Sequence, residues 1–314
     1  MKATAARLTE HGKPLDVTEV DLPEPHDGEV VIDMMYGGVN PVDRYRALGR
    51  VDPGAPLPRT LGAEGVGTVE GAMFVVFGHN VGTARDGIWA TKAVVPRSAL
   101  VPVPEGVDPR HAAVMGVAGA TAWRTVTELA QVRPDDRVLV LGATGGVGSV
   151  IVSLASRLGA SVWGQTGDAA NAAWLTDLGA EQIVAGGAEA LPDQLHQWRP
   201  TVVFDPLGGA FTAAALESMA PHGRLVSFGT SAGTTSTVSM QTLYSSGLRI
   251  FGYAGLLDSD EVLHQGLTEA LRALAERRMD VVIDSLLPLS QVNEAFARLE
   301  SRKANGKLVL DLRS

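Results

Sequence analysis

Hydrophobic and polar positions change rhythm along the chain. Up to about residue 113, short apolar runs alternate with polar positions. Gly28–Val39 (GEVVIDMMYGGV) alternates and closes on glycines, as a half-buried strand does, and AMFVVFG from Ala72 and TKAVVP from Thr91 read the same way. Pro14, Pro23, Pro25, Pro41, Pro53, Pro56 and Pro58 cut the region into small pieces. The pattern predicts a compact β-rich domain.

From about 114 to 255, strand-length apolar runs alternate with stretches of helical spacing. Strands are predicted at Val138–Leu141, Ser161–Gln165, Gln182–Val184, Val202–Asp205, Leu225–Phe228 and Leu248–Tyr253. Strands separated by helices imply a parallel sheet with right-handed crossovers. After the first strand, Val147, Val150, Ile151, Leu154, Ala155 and Leu158 recur at helical spacing and predict one buried face. The polar, small-residue stretch Gly229–Gly247 suits a mobile flap and an ordinary loop equally. A long amphipathic helix is predicted from about Ser259 to Arg278. A strand (VVIDSLLPL), a helix from Ser290 and a last strand (KLVLDL) follow. These are too few for a third domain and are expected to complete the first. The expected division is residues 1–113 with 256–314, and residues 114–255.

Between the first predicted strand and its helix stands GATGGVG: Gly142, Ala143, Thr144, Gly145, Gly146, Val147 and Gly148. Strand, tight turn and helix N-terminus together make a phosphate cradle, with the first turn's free amides facing an anion. Glycines at 142, 145 and 148 suit a turn, a close approach of backbone to pyrophosphate, and close packing of helix on strand. The expectation is a doubly wound α/β sheet that binds a dinucleotide.

Composition narrows the partners. Of 314 residues, 45% are hydrophobic and 19% charged, enough apolar material for two cores. The net charge of −9, with no basic block, argues against nucleic acid. The absence of cysteine excludes disulfides and thiolate metal sites and is consistent with a cytoplasmic protein. The N-terminal MKATAARLTEHG lacks the apolar core of a signal peptide, and no apolar run is long enough to span a membrane, so no membrane association is expected.

GGVNPVDRY (Gly37–Tyr45), LGAEGVGTV (Leu61–Val69), GVAGATAWRTV (Gly116–Val126), FDPLGG, GRLVSFG and the closing PLSQVNEAFARLESRKANGKLVL follow one another in this order. In that order they resemble the zinc-free, quinone oxidoreductase branch of the medium-chain dehydrogenase/reductase superfamily. The resemblance implies a GroES-like catalytic domain beside a Rossmann nucleotide domain. Zinc-dependent members carry a cysteine near Asn40 and a histidine where Ala63 stands, so the resemblance implies no catalytic zinc. The chain also departs from the family between Val69 and Met73, where a longer stretch is usual, and the shortening is expected to reshape the active-site rim.

For the cofactor, the resemblance implies NADPH ahead of NADH. Thr166, at the end of the second parallel strand, stands where NAD-preferring relatives carry an acid that would repel the extra phosphate. Asp168 nearby argues the other way unless it caps the following turn. Relatives often have a lysine at the Asn171 position, and Arg302, beside Lys303, matches an arginine that contacts the adenosine phosphate. Thr121, Phe228 and Gly229 fall in segments that meet the nicotinamide in relatives.

Without zinc, negative charge developing on the acceptor oxygen needs hydrogen-bond donors. Asn40 and Tyr45 fall in the motif whose counterparts face the nicotinamide, which makes them the catalytic candidates. Asn40 equally suits a helix N-cap ahead of Pro41, and Tyr45 a half-buried aromatic with a satisfied hydroxyl. Glu64 belongs to a family signature and is read as a structural brace. His79 and His222 stand out by position only.

The expected activity is hydride transfer to a quinone or related α,β-unsaturated carbonyl, with an enoyl-thioester reductase or a non-catalytic NADPH-binding protein as alternatives. A short-chain reductase is excluded, because the residues four after Tyr36, Tyr45, Tyr244 and Tyr253 are Asn40, Gly49, Leu248 and Leu257, none of them the lysine that class needs. A homodimer is expected, since an apolar edge strand at Leu248–Ala254 is a liability unless paired, and relatives pair it across a two-fold axis.

Overall fold

The computed structural model describes residues 1–313, with the side chain of Asn171 excepted. The chain divides into two compact units. The first holds Met1–Ala120, Ser259–Ala275 and the chain from Val282 on; the second holds Thr121–Asp258 and Glu276–Val281.

The first unit is built around the long strand Glu29–Val39. Its first half pairs antiparallel with Lys92–Pro96 and its second half with Glu64–Val69. Its end also pairs with Lys307–Asp311, which runs parallel to Ile283–Pro288. Exposure follows this pairing. The strand alternates over its first residues and is continuously buried from Tyr36 to Val39, where strands flank it on both sides. A second sheet joins Asp16–Asp21, Lys2–Leu8 and Arg59–Thr60. Ile32, Leu61, Trp89, Leu308 and Leu310 form the core, and the Trp89 indole N–H donates to the Gly38 carbonyl at 3.2 Å.

The segment after Val69 is a two-residue hairpin. Val69 pairs directly with Ala72, and Glu70 and Gly71 both have positive φ (51° and 84°), the signature of a type I′ turn. The two strands are joined there by the tightest connection an antiparallel pair allows.

The second unit is a six-stranded parallel sheet: β1 (Arg137–Val140), β2 (Ser161–Thr166), β3 (Gln182–Ala185), β4 (Val202–Asp205), β5 (Arg224–Ser227) and β6 (Arg249–Gly252). Their spatial order is β3-β2-β1-β4-β5-β6, a doubly wound arrangement whose order reverses beside β1. Val138, Leu139, Val140, Val202, Val203 and Phe204 have no exposed surface, as strands covered on both faces require. The helix Gly146–Arg157 departs from the single buried face expected of it: every residue from Gly148 to Ala155 is buried. On the polar side, the Ser153 hydroxyl accepts the Asp280 amide at 2.9 Å, so the returning segment Glu276–Val281 contributes to the cover.

The long helix near the C-terminus is shorter than its pattern, Asp260–Ala275, with Leu267, Ala270 and Leu271 buried. Among the described residues no helix is long and apolar enough to cross a membrane.

Candidate functional site

The glycine-rich turn leaves β1 and opens the helix Gly146–Arg157, with Gly145 as its N-cap. Each glycine meets a separate demand. Gly142 adopts φ +58°, a left-handed value that lets the chain reverse. A Cβ on Gly148 would overlap the Gly142 carbonyl and lie 3.0 Å from Ala143 Cα, so only glycine lets the helix approach the turn. The turn is fixed from behind: Gly142 N–H donates to the Gln165 side-chain oxygen at 3.0 Å, and Ala143 N–H to the Gln165 carbonyl at 2.8 Å. The Gln165 side-chain NH2 donates onward to Gly186 at 2.8 Å. The first-turn amides of Gly146, Val147 and Gly148 have no acceptor within the helix by its own geometry, and the dipole adds positive potential there. The loop from Thr144 to Val147 is half-exposed. Turn, left-handed glycine, close-packed glycine and helix N-terminus together fit a pyrophosphate. Gln165 was not foreseen as the residue that fixes the turn.

Thr166 closes β2 and is buried. The Asp168 amide donates to its hydroxyl at 3.3 Å, and the Asp168 carboxylate accepts from Ala170 N–H at 2.9 Å, capping the next turn. The Asn171 side chain lies outside the described residues.

Asp205 organises the neighbouring strand ends. Its fully buried carboxylate accepts the amides of Leu207 (2.8 Å) and Gly208 (2.9 Å) and the hydroxyl of Thr212 (2.5 Å). Phe228 follows β5 and bonds the Asp205 carbonyl at 3.0 Å, and a Cβ on Gly229 would sit 2.6 Å from the Pro206 carbonyl. Ser231 and Ala232 donate to Pro206 and Leu207 at 3.2 and 2.7 Å, so the small-residue stretch begins as a tethered loop. Thr121 lies in the helix Ala120–Trp123, flanked by two π-helical turns, Met115–Gly119 and Arg124–Leu129, and its carbonyl accepts the Thr125 hydroxyl at 2.7 Å. Nearby, Arg124 pairs with Asp258 at 3.1 Å and faces the Tyr253 ring, whose hydroxyl burial pushes up to about 12. The sequence reading overlooked this cluster.

The first unit holds the catalytic candidates. Asn40 is at the N-cap of the helix Pro41–Ala47, with Pro41 at the first position, and its own amide donates to the Asp43 carboxylate at 2.9 Å. Its side chain, however, is committed elsewhere: the amide nitrogen donates to Glu64 at 2.7 Å, and its oxygen accepts from the Lys307 ammonium. Lys307 also pairs with Glu64 at 3.0 Å, and the second Glu64 oxygen accepts Val117 N–H at 2.7 Å. Asn40, Glu64 and Lys307 are all at least 96% buried. Glu64 is thus a brace, as read, and Lys307 is a member the sequence concealed. Asp43, 1% exposed, has its carboxyl pushed up to about 6 by burial, with Arg46 opposing.

Tyr45 is half-buried on the same helix, and its hydroxyl makes no hydrogen bond among the described residues, which leaves it open to a ligand. Arg302 is an exposed residue of the first unit with φ +55°, just past the helix Val292–Glu300. His79 and His222 occupy turns with positive φ; His79 lies 3.3 Å from the Asp260 carboxylate, and His222 N–H bonds Ser246. Among the described residues no group of three or more His, Asp or Glu side chains is arranged to hold a metal.

Comparison with known proteins agrees with this architecture. The alcohol dehydrogenase GroES-like domain matches residues 26–105, and the domain described as zinc-binding dehydrogenase matches residues 178–310. The quinone oxidoreductase of Salmonella typhimurium is 27% identical over 98% of this chain and 99% of its own. Prostaglandin reductase-3 of Bos taurus is 33% identical over 66% of this chain, a match spanning 57% of that protein's length. The quinone oxidoreductase of Thermus thermophilus, solved also with NADPH, superposes with a TM-score of 0.86 at 29% identity, covering 99% of this chain and 100% of that one. With a GroES-like domain, a doubly wound nucleotide-binding sheet and relatives of full length among the quinone oxidoreductases, the chain belongs to the medium-chain dehydrogenase/reductase superfamily.

Proposed function

We propose that this protein is an NADPH-dependent reductase of quinones or related α,β-unsaturated carbonyls that works without zinc. The observation that carries the reading is the cradle Gly142–Gly148, where a Cβ at position 148 would close the turn. NADPH supplies hydride when bound. The chain holds the pyrophosphate on the amides of the turn and of the first helical turn. Thr166 is assigned to the adenosine ribose as a neutral residue, and the Asp168 carboxylate is engaged with Ala170 N–H, so neither would set a free acid against a 2′-phosphate. Arg302 is assigned to that phosphate, and Thr121, Phe228 and Gly229 to the nicotinamide. Asn40 and Tyr45 are assigned to the acceptor oxygen as hydrogen-bond donors. Two copies pair through the edge strand β6 into a homodimer.

The direct test mixes the protein with NADPH or NADH and a panel of quinones, enones and enoyl thioesters, and follows absorbance at the nicotinamide band. Turnover of quinones or enones with a preference for NADPH is expected. Tight binding of NADPH with no turnover of any acceptor would replace the reading by that of a binding protein.

A further inference from the structure

The register of three adjacent strands brings Asn40, Glu64 and Lys307 together. Val39 pairs with Leu308 and Gly37 with Gly65, so Asn40 leaves its strand where Lys307 begins one neighbour and Glu64 the other. Room for the Glu64 carboxylate is provided by two glycines. A Cβ on Gly38 would lie 2.5 Å from one carboxylate oxygen, and a Cβ on Gly116 3.0 Å from the other.

The chemistry of the three groups leaves one arrangement. A carboxylate only accepts and an ammonium only donates, so the Asn40 carboxamide turns its nitrogen to Glu64 and its oxygen to Lys307. The reverse orientation would face NH2 with ammonium and carbonyl with carboxylate. Glu64 has no freedom to adapt, because its second oxygen holds Val117 N–H. Asp43 fixes the Asn40 main chain as well. The amide is therefore held at both of its ends, and one of its two N–H groups is not used by Glu64.

We propose that Lys307 is a positioning residue: with Glu64 it sets the orientation of the Asn40 carboxamide, and through it the donor that Asn40 offers to the acceptor oxygen. This rests on the reading of Asn40 as a group that meets the reacting molecule. A buried ion pair alone would be replaceable by neutral groups of the same shape. The positioning role is not replaceable in that way, since a neutral amide beside Asn40 accepts either orientation.

The test uses Lys307→Met and the double variant Lys307→Met with Glu64→Gln. The single variant strands a buried carboxylate, and a lowered melting temperature is expected. The double variant removes both charges, and its melting temperature is expected to return close to that of the unaltered protein. Its NADPH affinity, read by fluorescence titration, is expected to stay within about threefold, while kcat with the best quinone or enone falls about tenfold or more. A double variant that regains stability and full kcat would overturn the proposal. The side-chain amide signals of Asn40, identified by their loss in Asn40→Ala, give a readout independent of turnover. One sharp pair of proton signals is expected in the unaltered protein, and in the double variant a pair doubled or broadened by exchange between two orientations about the Cβ–Cγ bond; a single sharp pair in the double variant would overturn the proposal even if no acceptor is reduced, an outcome that separately defeats the reductase reading.

Discussion

Single atoms decide much in this protein. The hydrogen on Gly148 stands where any side chain would strike the Gly142 carbonyl, and the obstacle is backbone, which has nowhere to go. Gly148→Ala is expected to weaken NADPH binding more than tenfold in titration calorimetry. Binding within twofold of the original would remove the turn from the cofactor site. Asp43 is the other informative residue. Its carboxyl is raised to about 6 from an ordinary value of 3.8, so the folded state holds the proton more tightly than the unfolded one. This group therefore supports stability below about pH 4, and its contribution is lost as pH rises through 6. Asp43→Asn keeps an acceptor for Asn40 N–H and avoids the buried charge. Its melting temperature should exceed the original's at pH 7.5 and match it near pH 4; an equal gap at both values would contradict the assignment. The sequence did not disclose this network, because a lysine opening an apolar strand reads as a solvent-facing start and a buried carboxylate pair has no periodicity. Asn40 shows how two plausible roles can coincide: its backbone caps a helix while its side chain serves the ion pair.

Secondary structure was far more legible. All six parallel strands lie within one residue of their expected ends, and the central ones, buried on both faces, read as apolar runs bounded by polar turns. The helix Gly146–Arg157 was foreseen but not its all-round burial, since Ser149 and Ser153 look like a solvent face until Asp280 covers one of them. The two π-helical turns from Met115 to Leu129 left no periodic trace. At the sheet's edge, β6 presents Ile250, which is 44% exposed, on a strand with one partner. Ile250→Glu is expected to convert a dimer to a monomer in sedimentation velocity at micromolar concentration. An original protein that already sediments as a monomer would disprove the pairing.

On the scale of the whole molecule, the chain leaves the first unit at Ala120, returns at Ser259, and lends Glu276–Val281 to the second before completing the first. The expected return of the C-terminal elements to the β-rich part rested on their small number, whereas the detour at 276–281 could not be read from sequence, for it depends on Asp280 finding Ser153. Cofactor choice also belongs to this scale, because its assigned residues are spread along the chain from Thr166 to Arg302. Arg302→Ala is expected to cut the preference for NADPH over NADH about tenfold or more in kcat/KM, the loss of one charge-assisted phosphate contact. An unchanged ratio would place phosphate recognition on other residues. The turn at Glu70–Gly71 has a consequence of its own. Both residues are exposed, and a Cβ on Gly71 would meet nothing within 4 Å. Such a tip is where foreign sequence is best tolerated. An epitope or a small fluorescent module spliced between Val69 and Ala72 would extend into solvent, giving a labelled protein without recourse to either terminus.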